Sequence, residues 1–203
     1  MNNKLKKDFY TRNVLAVAKD LLGKIFVYQE SENSEKLMAR IVEVEAYDGN
    51  IDEAAHTFIG KTERNKIMFE EGGFLYVYFT YGKHFCANIV TGVKDHGTAI
   101  LLRGMEPISG INKYAFNRFA KREITEKEKI NLLNGPAKIC QAFNLDRKFN
   151  GTNLIANKIY LLNSDKIPGD KIVQTTRIGI KKSVELPWRF YIKDNKYVSK
   201  LAK

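Results

Sequence analysis

Apolar residues near the N-terminus recur at the spacing of an α-helix. In TRNVLAVAKDLLG they keep this spacing from Val14 to Leu22. Gly23 follows, and glycine commonly occupies the position just after a helix because it tolerates a left-handed backbone. The pattern therefore predicts a helix from about Asn13 to Leu22.

The two-residue period of β-strands begins directly after this helix. KIFVYQE reads as a strand, SENSEK as a turn, and LMARIVEVEAY as the antiparallel partner of the first strand. Strict alternation gives the partner strand one face that carries both glutamates: Ile41, Glu43, Glu45 and Tyr47. Its opposite face is apolar: Val42, Val44 and Ala46.

The remaining chain mixes strands and helices without a repeating βαβ rhythm. After a polar stretch, FLYVYFTY and HFCANIV predict a β-hairpin that turns through Gly82 and Lys83, and TAILLRGMEP predicts a strand closed by Pro107. Helices are predicted around YAFNRFAKREITEKEKINLL and GPAKICQAFNL, and final strands at TTRIGIKK and PWRFYIKD. The predicted class is α+β, with one domain over residues 1–203 and helices around a largely antiparallel, curved β-sheet with a protruding β-hairpin.

The composition is that of an ordered globular protein. Hydrophobic residues make up 44% of the 203 residues and aromatic residues 11%, which excludes an intrinsically disordered chain. Apolar stretches are short, and MNNKLKKDFYTRN lacks the apolar core of a secretory signal, so we expect neither a membrane span nor export. Cys86 and Cys140 lack a CxxC spacing, which argues against a zinc site or a disulfide scaffold. We therefore expect a cytoplasmic protein whose cysteines fill the core.

Positive charge is concentrated in the second half of the chain. The net charge is +11, but residues 1–110 hold 14 Lys and Arg against 15 Asp and Glu, whereas residues 111–203 hold 20 against 8. Such an excess suits a polyanionic partner, either nucleic acid or a membrane surface. Lysines that are merely solvated would give the same count. No basic amphipathic helix with exposed large apolar residues stands out, which disfavours a membrane partner.

Glu45 and His56 are candidates for chemistry, and each also has a plainer explanation. A buried glutamate beside a second glutamate and a tyrosine would be a general base, because a neighbouring carboxylate and a dry pocket raise its proton affinity. A half-exposed strand with a solvated face would show the same alternation. His56 could orient a water molecule or donate to a ligand, or it could lie on a helix surface. No HxH, HExxH or Cys/His grouping is present, so no metal is expected.

The predicted hairpin is rich in aromatic residues. Phe74, Tyr76 and Tyr78 share one strand face, and Tyr81 lies at the turn, where its ring could project as a wedge into a stack of bases. A core strand with an aromatic residue covering the turn explains the spacing as well. Arg103, at a strand end, suits a phosphate or one of the glutamates. No GxGxxG, GxxxxGK[ST] or GxSxG motif supports a nucleotide cofactor or a serine hydrolase.

Several blocks of sequence occur together in the order and at the separations of one family. VEVEAYDGNIDEAAH, TERNKIMF, LYVYFTYGKHFCANIV, AILLRGMEP and NGPAKICQAF together resemble the alkyladenine (3-methyladenine) DNA glycosylases. RIGI and WRFYI…YVS resemble that family's C-terminal strands, so the likeness extends from about residue 9 to residue 199. The family hydrolyses the N-glycosidic bond of alkylated or deaminated purines in duplex DNA, and an aromatic wedge fills the gap left by the flipped nucleotide.

The resemblance implies a role for each residue at a matching position. The matches to catalytic residues are Glu45, which would activate the water, and Arg103. The matches to the base-binding pocket are Tyr47, His56, Tyr78 and Asn88. The match to the intercalating tyrosine is Tyr81. On charge alone, the residues expected to contact the DNA backbone are Lys83, Lys181 and Lys182.

The resemblance also implies the reaction and the partner. Double-stranded DNA with damaged purines would be the substrate of a monomeric, monofunctional enzyme that needs no cofactor and no membrane. Two features stay open: the role of Glu43, which could support the structure or raise the proton affinity of Glu45, and the acidic Glu70-Glu71 turn beside a DNA-binding hairpin. Alternatives from other classes are a non-catalytic nucleic-acid-binding module and a glycosidase of free nucleosides. The sequence does not rank 3-methyladenine, 7-methylguanine, hypoxanthine and ethenoadenine as substrates.

Overall fold

The computed structural model describes residues 3–80, 82–156 and 158–202, so Tyr81, the predicted wedge, lies outside the described residues. The helices are α1 (Lys7–Tyr10), α2 (Val14–Leu21), α3 (Ile111–Phe119), α4 (Glu126–Ile130) and α5 (Pro136–Phe143). The strands are β1 (Ile25–Tyr28), β2 (Leu37–Asp48), β3 (Leu75–Thr80), β4 (His84–Thr91), β5 (Thr98–Ser109), β6 (Ile159–Leu162), β7 (Ile172–Thr175) and β8 (Arg189–Ile192). Within these ranges, no helix is both long and apolar enough to cross a membrane.

β2 is the central strand of the sheet. The order of the sheet is β3-β4-β5-β2-β1-β6, and β8 pairs with both β2 and β7. One edge of β2 pairs with β5 over most of its length, whereas the other edge is shared between β1 at residues 37–40 and β8 at residues 43–45. The strands named here all pair in antiparallel fashion. The predicted α+β class with a curved, largely antiparallel sheet and a β3–β4 hairpin at its edge is confirmed.

Two compensating bulges interrupt the pairing of β2 with β5. Val42 is an extra residue on β2, and Arg103 is an extra residue on β5. A bulge shifts the alternation of side chains by one position. Ile41 therefore packs in the main core with Val44, whereas Val42 packs on the side of Glu43. The prediction that Ile41 shares the face of the glutamates is wrong for this reason.

Local signals explain the helices that hold the sheet. The side chain of Asn13 caps α2 by accepting the N–H groups of the second and third helical residues at 3.0 and 3.4 Å. Gly23 follows the helix with a φ of +88°. The buried face of α2 consists of Val14, Val17, Ala18 and Leu21. The predicted helix is therefore confirmed to within one residue at each end.

The segment TTRIGIKK does not form the predicted strand. Only Thr175 belongs to β7, and residues 176–183, which we term the strap, are irregular. The backbone N–H of Ile178 donates to the side chain of Glu45 instead of to a neighbouring strand. The strand predicted for TAILLRGMEP is confirmed as β5. It continues two residues past Pro107, because a bulge beside Ala39 accommodates the N–H that proline lacks.

Candidate active site

A cavity of about 460 Å³ opens beside Glu45: its lining includes Tyr47, Arg103 and Ile178, which contact the Glu45 carboxylate, but not Glu45 itself. Strands β3, β4 and β5 line one part of it, and the turn after β2 and the strap line another. Its aromatic and polar lining includes Tyr47, His56, Tyr76, Tyr78, Asn88 and Arg103. Lys181 and Lys182 are exposed and also line this cavity. The structure thus brings the predicted pocket residues together, whereas Lys83 lies exposed at the hairpin turn.

Glu45 is fully buried, and three donors surround its carboxylate. The hydroxyl of Tyr47 donates to Oε2 at 2.9 Å, and the N–H of Ile178 donates to Oε1 at 2.7 Å. Nη1 of Arg103 lies 3.3 Å from Oε2. A carboxylate offers about four acceptor positions, so one position remains on Oε1 after these three described contacts. Because Glu45 is buried, its alternative assignment to a solvated strand face is wrong.

Glu43 shares Arg103 with Glu45. Its Oε1 accepts from Nε of Arg103 at 3.3 Å and from Nη1 of Arg189 at 2.9 Å. Ser199 adds its N–H to Oε2 at 2.6 Å and its hydroxyl to Oε1 at 2.9 Å. Two carboxylates therefore face two guanidinium groups, and their formal charges cancel in a buried site. Of the two roles open for Glu43, this geometry favours structural support.

Tyr76, Tyr78 and His56 form an aromatic wall of the cavity. The two tyrosine rings stack with centroids 5.3 Å apart and planes at 27°. The ring of His56 packs edge-on against Tyr78 at 4.6 Å, and its Nδ1 lies 3.1 Å from the hydroxyl of Tyr76. Burial raises the pKa of both tyrosines, so their hydroxyls stay protonated at neutral pH. His56 lies on a turn, which rules out its assignment to a helix surface.

The charge of His56 is controlled by its surroundings. Desolvation lowers the pKa of His56, and the nearby Arg64 charge lowers it further. The guanidinium carbon of Arg64 lies 5.4 Å from the centre of the Tyr78 ring, and its Nη2 donates to the carbonyl of Phe79 at 3.3 Å. His56 is therefore neutral at neutral pH, and it adds no positive charge to the aromatic wall.

Tyr47 and Asn88 complete the lining near Glu45. Burial and the Glu45 charge raise the pKa of Tyr47 well above its usual value, so its hydroxyl is a lasting donor to the carboxylate. The guanidinium carbon of Arg177 lies 4.7 Å from the centre of the Tyr47 ring. Asn88 is buried, and its side-chain amide donates to the carbonyl of Tyr76 at 3.2 Å, which fixes the orientation of the amide.

Exposed charged residues lie beside the cavity and in the acidic turn before the hairpin. Nζ of Lys182 lies 3.0 Å from Oε2 of Glu53, so this lysine already has a carboxylate partner without DNA. Glu71 of the acidic turn pairs with Lys7. The charge of Glu71 is thus partly neutralised within the protein, which lessens its conflict with the predicted role of the hairpin in DNA binding.

Besides the residues that hold Glu43 and Tyr47, the contributors to this site that were not predicted from the sequence include Tyr76, Arg64 and the backbone of Ile178. Tyr76 lies two residues before Tyr78, and the alternation of β3 would have signalled it. Arg64 and the N–H of Ile178 lack such a signal, because one acts across a loop and the other is a backbone group. Within the described ranges, no group of three or more His, Cys, Asp or Glu residues could hold a metal ion.

Comparison with known proteins identifies the family. Residues 8–196 match the family model described as Methylpurine-DNA glycosylase (MPG). Because this match covers nearly the whole chain, the protein belongs to the methylpurine-DNA glycosylase family. It is therefore a DNA glycosylase, a hydrolase of DNA repair whose substrate is DNA.

Curated relatives agree with this assignment at a finer level. The chain is similar to a "Putative 3-methyladenine DNA glycosylase" of Clostridium novyi (strain NT), with 49% identity over 203 residues, 97% of this chain and 98% of the relative. Proteins of the same name from Carboxydothermus hydrogenoformans and Alkaliphilus oremlandii are 47% and 45% identical, each over 97% of this chain. The aligned regions cover 98% and 99% of those two relatives, respectively. The resemblance stated from the sequence is confirmed.

Proposed function

We propose that this protein is a monofunctional glycosylase that excises alkylated or deaminated purines from double-stranded DNA by flipping the nucleotide and hydrolysing the bond at C1′. One observation carries the proposal: a fully buried glutamate, held by three donors, keeps one acceptor position beside an aromatic cavity. The cavity of about 460 Å³ falls within the roughly 300–1,000 Å³ of small-molecule sites. A planar base suits such a lining.

The flipped purine would stack among Tyr47, His56 and Tyr78. Alkylated purines that carry a positive charge stack well on electron-rich rings, and the neutral His56 does not repel them. The hydroxyls of the tyrosines stay protonated, so the wall presents polar donors as well as ring faces. Asn88, fixed by its bond to Tyr76, would help to reject purines with the wrong exocyclic group.

The water would bind at the open position on Oε1 of Glu45. Its oxygen bonds to C1′ while the bond from C1′ to the purine nitrogen breaks, and that electron pair leaves with the base. The water proton passes to Glu45, whose negative charge also stabilises the positive character that develops at C1′. A purine that is already cationic departs as a neutral molecule. Arg103 would keep the carboxylate in place.

The duplex would be held at the rim of the cavity. We assign the wedge to Tyr81, which would replace the extruded nucleotide and offset part of the unstacking cost of a few kcal/mol. Lys83, Lys181 and Lys182 would contact phosphates. No lysine Schiff base is required, so the sugar–phosphate strand would stay intact after the base has left.

The reaction class is tested by single-turnover assays with excess protein on duplexes that contain one hypoxanthine or one 7-methylguanine. We expect the free base and an abasic strand that breaks only after alkali treatment, while the undamaged duplex is unchanged. Strand cleavage without alkali would contradict monofunctional chemistry. Binding of damaged duplexes without release of any base would favour the non-catalytic binding module.

The duplex requirement is tested with Tyr81→Ala, since a free nucleoside offers no base stack for a wedge to fill. Release from duplex DNA should fall at least about tenfold, because the variant loses stacking worth a few kcal/mol. Phe116→Ala, an exposed aromatic residue on α3, serves as the control and should keep full activity. Equal activity on free nucleosides and on DNA in the wild-type protein would favour the nucleosidase alternative.

The remaining parts of the proposal concern the molecule as a whole. We infer a single glycosylase domain over residues 1–203 that acts as a monomer, in the cytoplasm with the DNA. Light scattering coupled to size exclusion should give the mass of one chain without DNA, and of one chain plus one duplex with DNA. A dimer mass in both samples would contradict the monomer.

A further inference from the structure

Arg177 and Asp52 form a buried ion pair next to the candidate active site. Both side chains are fully buried, and two guanidinium nitrogens contact two carboxylate oxygens, with Nη2 to Oδ1 at 2.8 Å. We propose that this pair is a positioning device that sets the Tyr47 ring and the strap against Glu45. The inference deepens the proposed function and rests on it, because it assigns the pair to the reaction at that site.

The first half of the device is the contact with Tyr47. The guanidinium carbon lies 4.7 Å from the centre of the Tyr47 ring, and Nη1 donates to the carbonyl of Ala46 at 3.0 Å. Arg177 lies outside the cavity lining described above, whereas Tyr47 lines the cavity. The planar fork is thus fixed at two points while it stacks on the ring. A ring supported in this way presents a defined face to a base.

The second half of the device is the strap. Nη2 of Arg177 donates to the carbonyl of Ser183 at 3.2 Å, and the hydroxyl of Ser183 accepts from the N–H of Glu53 at 3.1 Å. These contacts anchor the beginning and the end of the strap to the turn that holds Asp52. Ile178 directly follows Arg177, and its N–H lies 2.7 Å from Oε1 of Glu45. The side chain of Arg177 therefore links the position of the Tyr47 ring to the position of the Glu45 carboxylate.

Stability alone is a poor explanation for a pair at this depth. The desolvation of two charges offsets much of their attraction, and well-packed apolar residues often stabilise a fold equally well. Apolar residues would not reproduce the four directed contacts of Arg177 with Asp52, Ala46 and Ser183. The pair therefore fixes the positions of the groups around it rather than adding to the stability of the fold.

The test compares Arg177→Lys and Asp52→Asn with a matched control, Arg118→Lys. Arg118 likewise stacks on a ring, at 5.0 Å from Phe119, and donates to the carbonyls of Asn131 and Leu132 at 2.9 and 2.8 Å. It lies on α3, outside the cavity lining. Base release from a hypoxanthine duplex is measured in single turnover over a range of protein concentrations. Circular dichroism sets a temperature at which every variant is folded.

The positioning role predicts a change in rate without a change in affinity. The limiting rate should fall about 10²-fold in Arg177→Lys, as for a misplacement of about 1 Å, and at least about tenfold in Asp52→Asn. The half-saturating protein concentration should stay within about twofold, and Arg118→Lys should match the wild type in both quantities.

Two results would overturn this inference. A limiting rate within about twofold of wild type in either folded variant would show that the site does not depend on the pair. A large change in half-saturation at an unchanged limiting rate would show that the pair acts in DNA binding instead. If the wild-type protein releases no base, the proposed function itself fails, and the inference fails with it. Using two variants keeps the test decisive if one of them does not fold.

Discussion

The buried carboxylates behind the cavity lining, which we term the floor, and the exposed lysines around the cavity, which we term the rim, are built on different physical principles. On the floor, Glu43 and Glu45 are fully buried, and every carboxylate oxygen has at least one directed donor. At the rim, Lys181 and Lys182 are exposed, as is Lys83 at the hairpin turn, and a long flexible side chain in solvent has no fixed position. The floor is therefore defined by geometry and the rim by charge. Substitutions on the floor should change the rate of base release, and substitutions at the rim should change DNA affinity and its salt dependence.

The largest combined effect on stability and rate is expected for Arg103→Leu. The substitution leaves Glu43 and Glu45 without their shared guanidinium, so the free energy of unfolding should fall by about 3–5 kcal/mol. The single-turnover rate should fall about 10²-fold, because the carboxylate of Glu45 loses one of its three donors and its fixed orientation. Urea unfolding and base release measure the two quantities.

Arg40→Leu is the control for this prediction. Arg40 pairs with Glu106 at 3.5 Å across the same two strands, but both side chains are partly exposed. Such a pair contributes at most about 1 kcal/mol, and less after screening by salt. Equal losses in Arg40→Leu and Arg103→Leu would contradict the special status of the floor.

The next effect is expected for Tyr47→Phe, which keeps the ring and removes the donor to Glu45. A hydrogen bond to a charged group contributes about 1.5–3 kcal/mol, so the limiting rate should fall at least about tenfold at unchanged half-saturation. Tyr114→Phe is the matched control, since the Tyr114 hydroxyl is buried without a hydrogen-bond partner among the described residues. A rate loss shared by both variants would remove the role assigned to the Tyr47 hydroxyl.

At the rim, the double substitution Lys181→Gln/Lys182→Gln should weaken DNA binding about fivefold and leave the limiting rate unchanged. The slope of log affinity against log salt should become shallower by between about 0.9 and 1.8, since each phosphate contact contributes about 0.9. An unchanged slope would count against a phosphate contact. Glu53→Gln is the opposite control, because it releases Lys182 from its present partner and should tighten binding.

The smallest effect concerns the charge of His56. Because its pKa in the folded protein lies below the ordinary value, the folded state favours the neutral ring. Stability is therefore lost as the pH falls from 6.5 through this lowered pKa. A protonated His56 would also repel a cationic purine in the cavity. As the pH is lowered from 7.5 through the pKa of His56, release of 7-methylguanine relative to hypoxanthine should fall by about threefold.

His56→Gln tests this pH dependence, because the substituted side chain cannot take up a proton. The ratio of the two substrates should become flat over the same pH range. The extra loss of stability on the acid side should disappear from urea unfolding as well. A ratio that falls equally in the variant would assign the effect to another group.

Short-range patterns predicted most of the fold. The helix capped by Asn13 and the β3–β4 hairpin depend on neighbours in the chain, and both appear where the periodicity indicates. The bulges at Val42 and Arg103 escaped prediction because each exists only relative to the other strand. The irregular strap was not predicted for a related reason. Ile178 and its neighbours alternate like a strand, but the backbone N–H of Ile178 donates to the distant side chain of Glu45.

The chemistry of the site was predicted less evenly. The blocks that resemble a known family indicated Glu45 and the pocket aromatics. Spacing alone was also compatible with a purely structural role for these residues. The pairs that hold them were not predicted, because Asp52 and Arg177 are 125 residues apart, and Glu43 and Ser199 are 156 apart. No local rule relates residues at such separations. Only the folded sheet brings them together.

The most direct test of the central claim is base release by Glu45→Gln at saturating protein, with binding to the same hypoxanthine duplex measured in parallel. Glu106→Gln, a carboxylate on β5 that lies outside the lining described for the cavity, is the matched control. We predict that release falls at least about 10³-fold in Glu45→Gln, in keeping with a residue that acts as general base and stabilises charge. Binding should stay within about threefold of wild type. Release within about tenfold of wild type, at unchanged binding, would contradict the assignment of Glu45 as the group that activates the water.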